Sequence, residues 1–230
     1  MKKHILQEIG ELNAGPVKYV MGFNNFTLNM EGHTFPISIG KHEFDFLYNI
    51  VKKYNLKRGF ELATGFGVSS IAAGLAFKEN NGIHITMDSY SEEVSNNCHD
   101  YGDFKNKSYP DTDGYKSVKY LIEYFRLKDT VIPEVGWSPD DVGTIINRNT
   151  TGKLDFVFLD GGHFIHQILQ DVDAIRPHLD EKFVFVFHDF YPSVIDYPYV
   201  NELKNKFGLE FRTGVSYPLG ENMVYMTNFD

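Results

Sequence analysis

Cysteine and long apolar runs are both scarce in this chain. Cys98 is the only cysteine among 230 residues, which excludes an intrachain disulfide and any zinc site built from several cysteines. A chain of this kind suits a reducing compartment, so we expect a cytoplasmic protein. The longest candidate for a membrane span, residues 70–77, is far shorter than the ~20 apolar residues needed to cross a bilayer. Gln7, Glu8 and Glu11 interrupt the apolar stretch that a signal peptide requires, so we expect no export signal and no membrane contact.

Positive charge is also in deficit. The 22 lysines and arginines are outnumbered by 31 aspartates and glutamates, which gives a net charge of -9. The resulting field repels a phosphate backbone, so nucleic acid is not expected as a partner. Apolar residues (42%) and charged residues (23%) are close to the globular average, which argues against disorder and coiled coil. At ~150 residues per domain, the length favours one sizeable domain with insertions.

Helical and strand patterns alternate along the chain from residue 42. This alternation predicts an α/β fold, a Rossmann-like, doubly wound, mainly parallel seven-stranded sheet with an antiparallel C-terminal strand. The predicted strands are residues 59–62, 82–87, 130–135, 154–159, 183–187, 209–215 and 223–227. The run 183–187 is continuously apolar, as expected of a strand that is covered on both faces.

Two regions fall outside this alternation. Residues 1–41 have mixed polarity, and we assign them to an N-terminal appendage that either covers a site or joins copies of the chain in a homo-oligomer. Residues 89–130 form an insertion in the domain 42–230, and only residues 115–127 within it have helical spacing. Residues 89–114 are then either a lid over a bound small molecule or a solvated loop.

A glycine-rich turn follows the first predicted strand of the domain. The segment from Glu61 to Ser69 includes Gly65 and Gly67 and leads into a helix that begins near Val68. Backbone amides and a helix N-terminus therefore face the crevice at the carboxyl end of the strand, where a nucleotide-like ligand is expected. Asp88 lies 21 residues beyond Gly67, close to the ~20-residue spacing at which a carboxylate reaches ribose hydroxyls. The alternative is that these glycines serve only the tight turn.

Departures from the dinucleotide pattern narrow the choice of cofactor. Ser70 occupies the position where a third glycine or alanine would be needed, which disfavours NAD. The acidic-x-x-x-G-x-G form that starts at Glu61 instead resembles motif I of class I S-adenosylmethionine-dependent methyltransferases, with Ala63 in place of a frequent glycine. The segment LDFVFLDGGH at 154–163 resembles the corresponding strand of small-molecule O-methyltransferases, including those that act on antibiotic sugars, and FHD at 187–189 is similar to the same group.

This resemblance spans roughly residues 42–228 and implies a cofactor site for S-adenosylmethionine. By resemblance, one set of residues surrounds the methionine end: Glu61, Gly65, Gly67 and Ser69. Asp88 takes the ribose, Ser138 lies beside the adenine, and Asp160 is assigned to both the cofactor and a metal. Trp137 either stacks near the adenine or belongs to the core.

Two aspartates end neighbouring predicted strands. Asp160 and Asp189 should converge on one crevice, where they repel each other unless a cation intervenes. Oxygen ligands suit Mg²⁺, Mn²⁺ or Ca²⁺, and we expect Mg²⁺. Phe190 stands where the resembling enzymes often have Asn or Asp, so a third ligand must be water or another residue. Alternatively, Asp189 bonds loop amides and Asp160 caps the following helix.

Transfer of a methyl group to a hydroxyl requires a base, because the oxygen attacks better as its proton leaves. His163 has the right titration range and matches a catalytic position of the resembling enzymes, while His166 and His188 are competitors. The sequence thus predicts a methyltransferase that acts on a hydroxyl of a small molecule, such as a sugar. The alternatives are a non-catalytic S-adenosylmethionine-binding module and an α/β hydrolase built around Ser69, which lacks the closing glycine of a G-x-S-x-G turn.

Overall fold

The computed structural model describes residues 5, 8, 27–30, 33–36, 39–65, 67–89, 114–162, 165–189, 197–217 and 220–230. Strands in chain order are β1 (Thr27–Met30), β2 (His33–Pro36), β3 (Arg58–Leu62), β4 (Ile83–Asp88), β5 (Val131–Val135), β6 (Leu154–Leu159), β7 (Leu179–His188), β8 (Arg212–Tyr217) and β9 (Gly220–Thr227). Helices are α1 (Lys41–Lys53), α2 (Val68–Glu79), α3 (Gly114–Tyr124), α4 (Val142–Asn149), α5 (Ile165–Ile175) and α6 (Tyr197–Phe207), with a 3₁₀ turn at Arg176–His178.

Strands β3 to β9 form a seven-stranded sheet in the order β5-β4-β3-β6-β7-β9-β8. Neighbours from β5 to β7 pair in parallel, whereas β9 runs antiparallel to both β7 and β8. The predicted Rossmann-like fold with an antiparallel C-terminal strand is confirmed. The chain winds outward from β3 to β5 and then returns to β6, so the strand order reverses between β3 and β6. A crevice for ligands is expected at the carboxyl ends of these two strands.

Both faces of the sheet are covered, which explains the continuous apolar runs of the central strands. Along β6, Phe156 and Phe158 pack into the core shared with α1, α2 and α3. The intervening Val157 and Leu159 pack into the opposite core, shared with α4, α5 and α6. Successive strand residues point to opposite faces, so a strand buried on both faces shows no alternation with polar residues.

Strand β7 begins at Leu179, four residues before the predicted start. Residues 179–182 are half-buried or exposed, so they lack the apolar character on which the prediction depended. Strand β8 begins at Arg212 instead of residue 209. Neither difference moves the carboxyl ends of β3, β4 and β6, where the candidate site lies.

The N-terminal appendage contains an antiparallel pair, β1 and β2, which the sequence analysis did not predict. Elsewhere in the appendage, Ile5 packs against the core on the α3 side of the sheet. The carboxylate of Glu8 accepts a hydrogen bond of 2.9 Å from the hydroxyl of Tyr124, at the end of α3.

In the predicted insertion, the helical part is present as α3, while residues 90–113 lie outside the described ranges. Within those ranges, no helix combines the length and apolar composition needed to cross a bilayer.

Candidate functional site

The turn between β3 and α2 has an unusual backbone. Ala63, Gly65 and Gly67 all have positive φ, at 71°, 51° and 89°. A left-handed conformation at Ala63 explains why glycine is frequent at this position in the resembling motif. A Cβ on Gly67 would lie 2.9 Å from Cγ2 of Val118 in α3, so glycine is required there both for its φ and for the close approach of α3.

Glu61 lies beneath this turn and is completely buried. Its carboxylate accepts hydrogen bonds from the hydroxyls of Ser69 and Ser70, the latter at 2.7 Å. Nε2 of His84, in β4, lies 2.8 Å from the same carboxylate. The Ser70 hydroxyl also contacts Thr86 Oγ1 at 3.0 Å. The carboxylate of Glu61 therefore ties β3 and β4 to the first turn of α2.

His84 is as buried as Glu61, and its ring is stacked on Phe77 with centroids 5.4 Å apart. Its Nδ1 has no hydrogen-bond partner among the described residues. A Cβ on Gly59 would lie 2.5 Å from that nitrogen, so Gly59 provides the space for the ring. An imidazole with one unsatisfied nitrogen destabilises an apolar core. The contact between Nε2 of His84 and Glu61 therefore accounts for a histidine at this position.

Asp88 ends β4 at the same edge of the sheet. Its Oδ2 accepts a hydrogen bond of 2.8 Å from the backbone N–H of Gly65. Its backbone carbonyl accepts a second hydrogen bond, of 3.0 Å, from the N–H of Gly136 just beyond β5. The predicted ribose-binding carboxylate is therefore adjacent to both the glycine turn and the segment that carries Trp137 and Ser138.

Trp137 is 51% exposed, which excludes the interpretation of this side chain as a core residue. The hydroxyl of Ser138 donates a hydrogen bond to Asp171, a buried residue of α5. Burial raises the pKa of the Asp171 carboxyl, and the hydrogen bond from Ser138 opposes that shift. Ser138 is therefore held at the edge of the crevice by a carboxylate that the sequence analysis did not identify.

A second group lies at the carboxyl ends of β6 and β7. Single ligand atoms of Asp160, His188 and Asp189 all lie within 4.8 Å of one another. Nδ1 of His188 is 2.8 Å from Asp160 Oδ1 and 3.3 Å from Asp189 Oδ1. The predicted convergence of the two aspartates is thus observed, with an imidazole beside both.

The opposite nitrogen of the His188 ring, Nε2, lies 3.1 Å from the carboxylate of Glu43 in α1. Burial lowers the pKa of His188, but the charge of Asp160 and hydrogen bonds to Asp160, Asp189 and Glu43 raise it well above its ordinary value. While Nδ1 carries a proton, the ring can pair with both aspartates and reduce their mutual repulsion without a metal. The donor set of two carboxylates and one imidazole also fits a divalent ion.

Sequence reasoning missed Glu43, His84 and Asp171. Glu43 carried a signal, because it falls on the apolar face of α1, four residues before Leu47, and is only 2% exposed. The partner of Glu43, His188, is 145 positions away in the sequence, so no local pattern connects the two. The predicted base, His163, and the residue after Asp189 lie outside the described residues, while His166 is exposed on α5.

Comparisons with known proteins agree with this architecture. The model of a family described as a methyltransferase domain matches residues 60–190, more than half of the chain. An O-methyltransferase from Bacillus cereus in complex with SAH has 14% sequence identity and a TM-score of 0.63, with coverage of 99% of this chain and 91% of that chain.

Two further solved structures are similar. The O-methyltransferase TomG from Streptomyces achromogenes, involved in tomaymycin synthesis and in complex with SAM, has 13% identity and a TM-score of 0.64, with coverage of 99% of this chain and 90% of that chain. A methyltransferase from Geobacter sulfurreducens has 10% identity and a TM-score of 0.64, with coverage of 100% and 91%. At such low identities these likenesses establish the fold.

Proposed function

This chain belongs to the methyltransferase domain family, and from that premise we propose that it transfers a methyl group from S-adenosylmethionine (SAM) to a hydroxyl of a small molecule. The observation that carries the proposal is the contact between Asp88 and the glycine turn, 2.8 Å from Oδ2 to the N–H of Gly65. This carboxylate and the glycine turn lie together at the carboxyl ends of β3 and β4, where a doubly wound sheet binds the ribose of a nucleotide-like ligand. The neighbours from Bacillus cereus and Streptomyces achromogenes, solved with SAH and SAM, support the choice of cofactor.

The acceptor hydroxyl would lie beside Asp160 and Asp189, at the carboxyl ends of β6 and β7. Its oxygen forms a bond with the methyl carbon while the carbon–sulfur bond breaks, and its proton passes to a base, for which we propose His163. A divalent cation bound by the two aspartates would lower the pKa of the hydroxyl and orient its oxygen. A sugar or another polyhydroxylated metabolite is the acceptor that we propose, and the O-methyltransferase neighbours support oxygen as the methylated atom.

A hydrolase built around Ser69 does not fit the geometry. Ser69 is only 6% exposed, and its hydroxyl donates a hydrogen bond to the buried Glu61. A nucleophilic serine must instead be exposed and contact a base. A binding module without catalysis is the second candidate, favoured by the position of His188 Nδ1 beside Asp160 and Asp189, where a proton on Nδ1 would pair the ring with both carboxylates in place of a metal. We also propose a cytoplasmic location, because the single cysteine suits a reducing compartment. We propose no nucleic-acid partner, because the net charge is -9.

Replacing Asp88 by alanine should weaken SAM binding by roughly 10- to 150-fold. The basis is the loss of about 1.5–3 kcal/mol when a hydrogen bond to a charged group is removed. Isothermal titration calorimetry with SAM and with S-adenosylhomocysteine measures the effect, and NAD should give no binding heat. Asp129→Ala is the matched control, because Asp129 is an exposed aspartate beyond α3, before β5. Parent-like affinity in a folded Asp88→Ala protein, or tight binding of NAD by the parent, would refute this assignment of the cofactor site.

A further inference from the structure

The sequence left the third protein ligand of the metal unassigned, because Phe190 follows Asp189. We infer that His188 is that ligand, through Nδ1, that Glu43 orients its ring for the purpose, and that the ion is a first-row transition metal such as Mn²⁺. The inference rests on the metal-assisted part of the proposed function and deepens it. It concerns metal binding alone, so it can be tested without methyl transfer.

The spacing of the donor atoms fits one ion. His188 Nδ1 is 2.8 Å from Asp160 Oδ1 and 3.3 Å from Asp189 Oδ1. Neighbouring ligands of an octahedral ion at ~2.1 Å are separated by about 3 Å. The side chains come from the carboxyl ends of adjacent parallel strands, β6 and β7. The ligand atoms of all three residues lie within 4.8 Å of one another, and a bound ion would take the place of the proton on Nδ1.

Contacts around the ring fix which nitrogen faces the aspartates. The Glu43 carboxylate is 3.1 Å from Nε2, on the far side of the ring from Asp160. Glu43 is itself held, because it accepts a hydrogen bond from the N–H of Gly40 at the start of α1. The ring of Phe158 packs edge-on against the imidazole, with centroids 6.0 Å apart. A carboxylate on one imidazole nitrogen orients the other nitrogen toward a metal in many histidine–metal sites.

Glu43 differs from a surface carboxylate in ways that suit this role. It is only 2% exposed and points inward from the apolar face of α1. A buried carboxylate reduces stability unless it is paired or hydrogen-bonded. The contact with His188 accounts for its position, and through it α1 contributes to the site.

The donor set also selects the metal. Mg²⁺ and Ca²⁺ prefer oxygen ligands only. An imidazole among the ligands shifts preference toward first-row transition ions. Mn²⁺ accepts both carboxylate and imidazole donors, so we expect it to bind at least ~10-fold more tightly than Mg²⁺. The expectation from the sequence, Mg²⁺, was based on two carboxylates alone.

The test uses the full chain stripped of metal by a chelator that is then removed. Calorimetric titrations with MnCl₂ and MgCl₂ compare the parent with His188→Asn and Glu43→Gln. His188→Asn should lose most of the preference for Mn²⁺, because an amide oxygen replaces the imidazole nitrogen. Glu43→Gln should weaken Mn²⁺ binding by roughly 10- to 100-fold, the range for loss of such a supporting contact. Glu79→Gln, at a 53% exposed carboxylate of α2, is the matched control and should bind Mn²⁺ like the parent.

Pulsed electron paramagnetic resonance of the Mn²⁺-loaded parent gives a second readout that does not depend on a variant that folds. Coupling to a directly bound ¹⁴N nucleus should be present in the parent and absent in His188→Asn. Mn²⁺ binding without ¹⁴N coupling would overturn the inference while leaving an all-oxygen metal site for the proposed function. No binding of either ion at millimolar concentration would also overturn it. Mn²⁺ binding with ¹⁴N coupling but without methyl transfer to any acceptor would support the inference and count against the proposed function.

Discussion

Asp160→Asn should lower turnover by about 100- to 1,000-fold once the acceptor is known. The cation that we propose at Asp160 and Asp189 would contribute several kcal/mol of charge stabilisation at the reacting oxygen, and each 1.36 kcal/mol corresponds to about a tenfold change in rate. Asparagine keeps the shape of the side chain but removes the charge that attracts the metal. Initial rates in the presence of added Mn²⁺ or Mg²⁺ measure the effect.

A chelator should reduce the parent to the rate of Asp160→Asn, and the added metal should restore only the parent. Asp173→Asn is a suitable control, because Asp173 is 52% exposed on the next helix, α5, and pairs with Lys206 at 2.7 Å. The control variant should retain the rate of the parent. Undiminished turnover of the parent in excess chelator would reject the role of a metal and leave His163 or His188 as the main catalytic groups.

His84→Leu should destabilise the fold by about 3–5 kcal/mol, the range for removing one partner of a buried carboxylate–cation pair and leaving the carboxylate in the core. The leucine fills the space but leaves the completely buried Glu61 without its contact to Nε2, 2.8 Å long in the parent. For a chain of this length such a loss corresponds to a drop of roughly 6–20 °C in Tm. Urea titration and thermal unfolding, both in metal-free buffer, are the appropriate measurements.

His84→Gln distinguishes the hydrogen bond from simple packing. Its amide nitrogen offers a donor to Glu61 in place of the imidazole Nε2, so this variant keeps a hydrogen bond worth about 1 kcal/mol and should be destabilised less than His84→Leu by at least that amount. Equal destabilisation by leucine and glutamine would mean that the stacking of His84 on Phe77, and not its contact with Glu61, stabilises the turn.

Much of the fold could be predicted because its signals are local. The sheet strands are short apolar runs, since both faces of the sheet are covered, and the glycine turn requires glycine for reasons of backbone conformation at Gly65 and Gly67. The pairing of Asp160 with Asp189 followed from topology alone, because the carboxyl ends of adjacent parallel strands lie together.

The supporting residues could not be predicted in the same way. Glu43 meets His188 across 145 positions, and His84 meets Glu61 across 23. Each contact depends on how a helix or strand packs in three dimensions, which no periodicity of hydrophobic residues encodes. The one available signal was chemical: a glutamate on an apolar helix face, or a histidine within a buried strand, needs a polar partner.

Incubation with trideuteromethyl-labelled SAM tests the central claim most directly. The full chain is mixed with hydroxyl-bearing metabolites in the presence of Mn²⁺, and the products are analysed by mass spectrometry and NMR. The account predicts one product in which a trideuteromethyl group replaces a hydroxyl hydrogen, formed together with S-adenosylhomocysteine and greatly reduced in Asp160→Asn. Tight binding of SAM without transfer to any acceptor would contradict it and favour the binding module, and a label found only on nitrogen or carbon would contradict the assignment to oxygen.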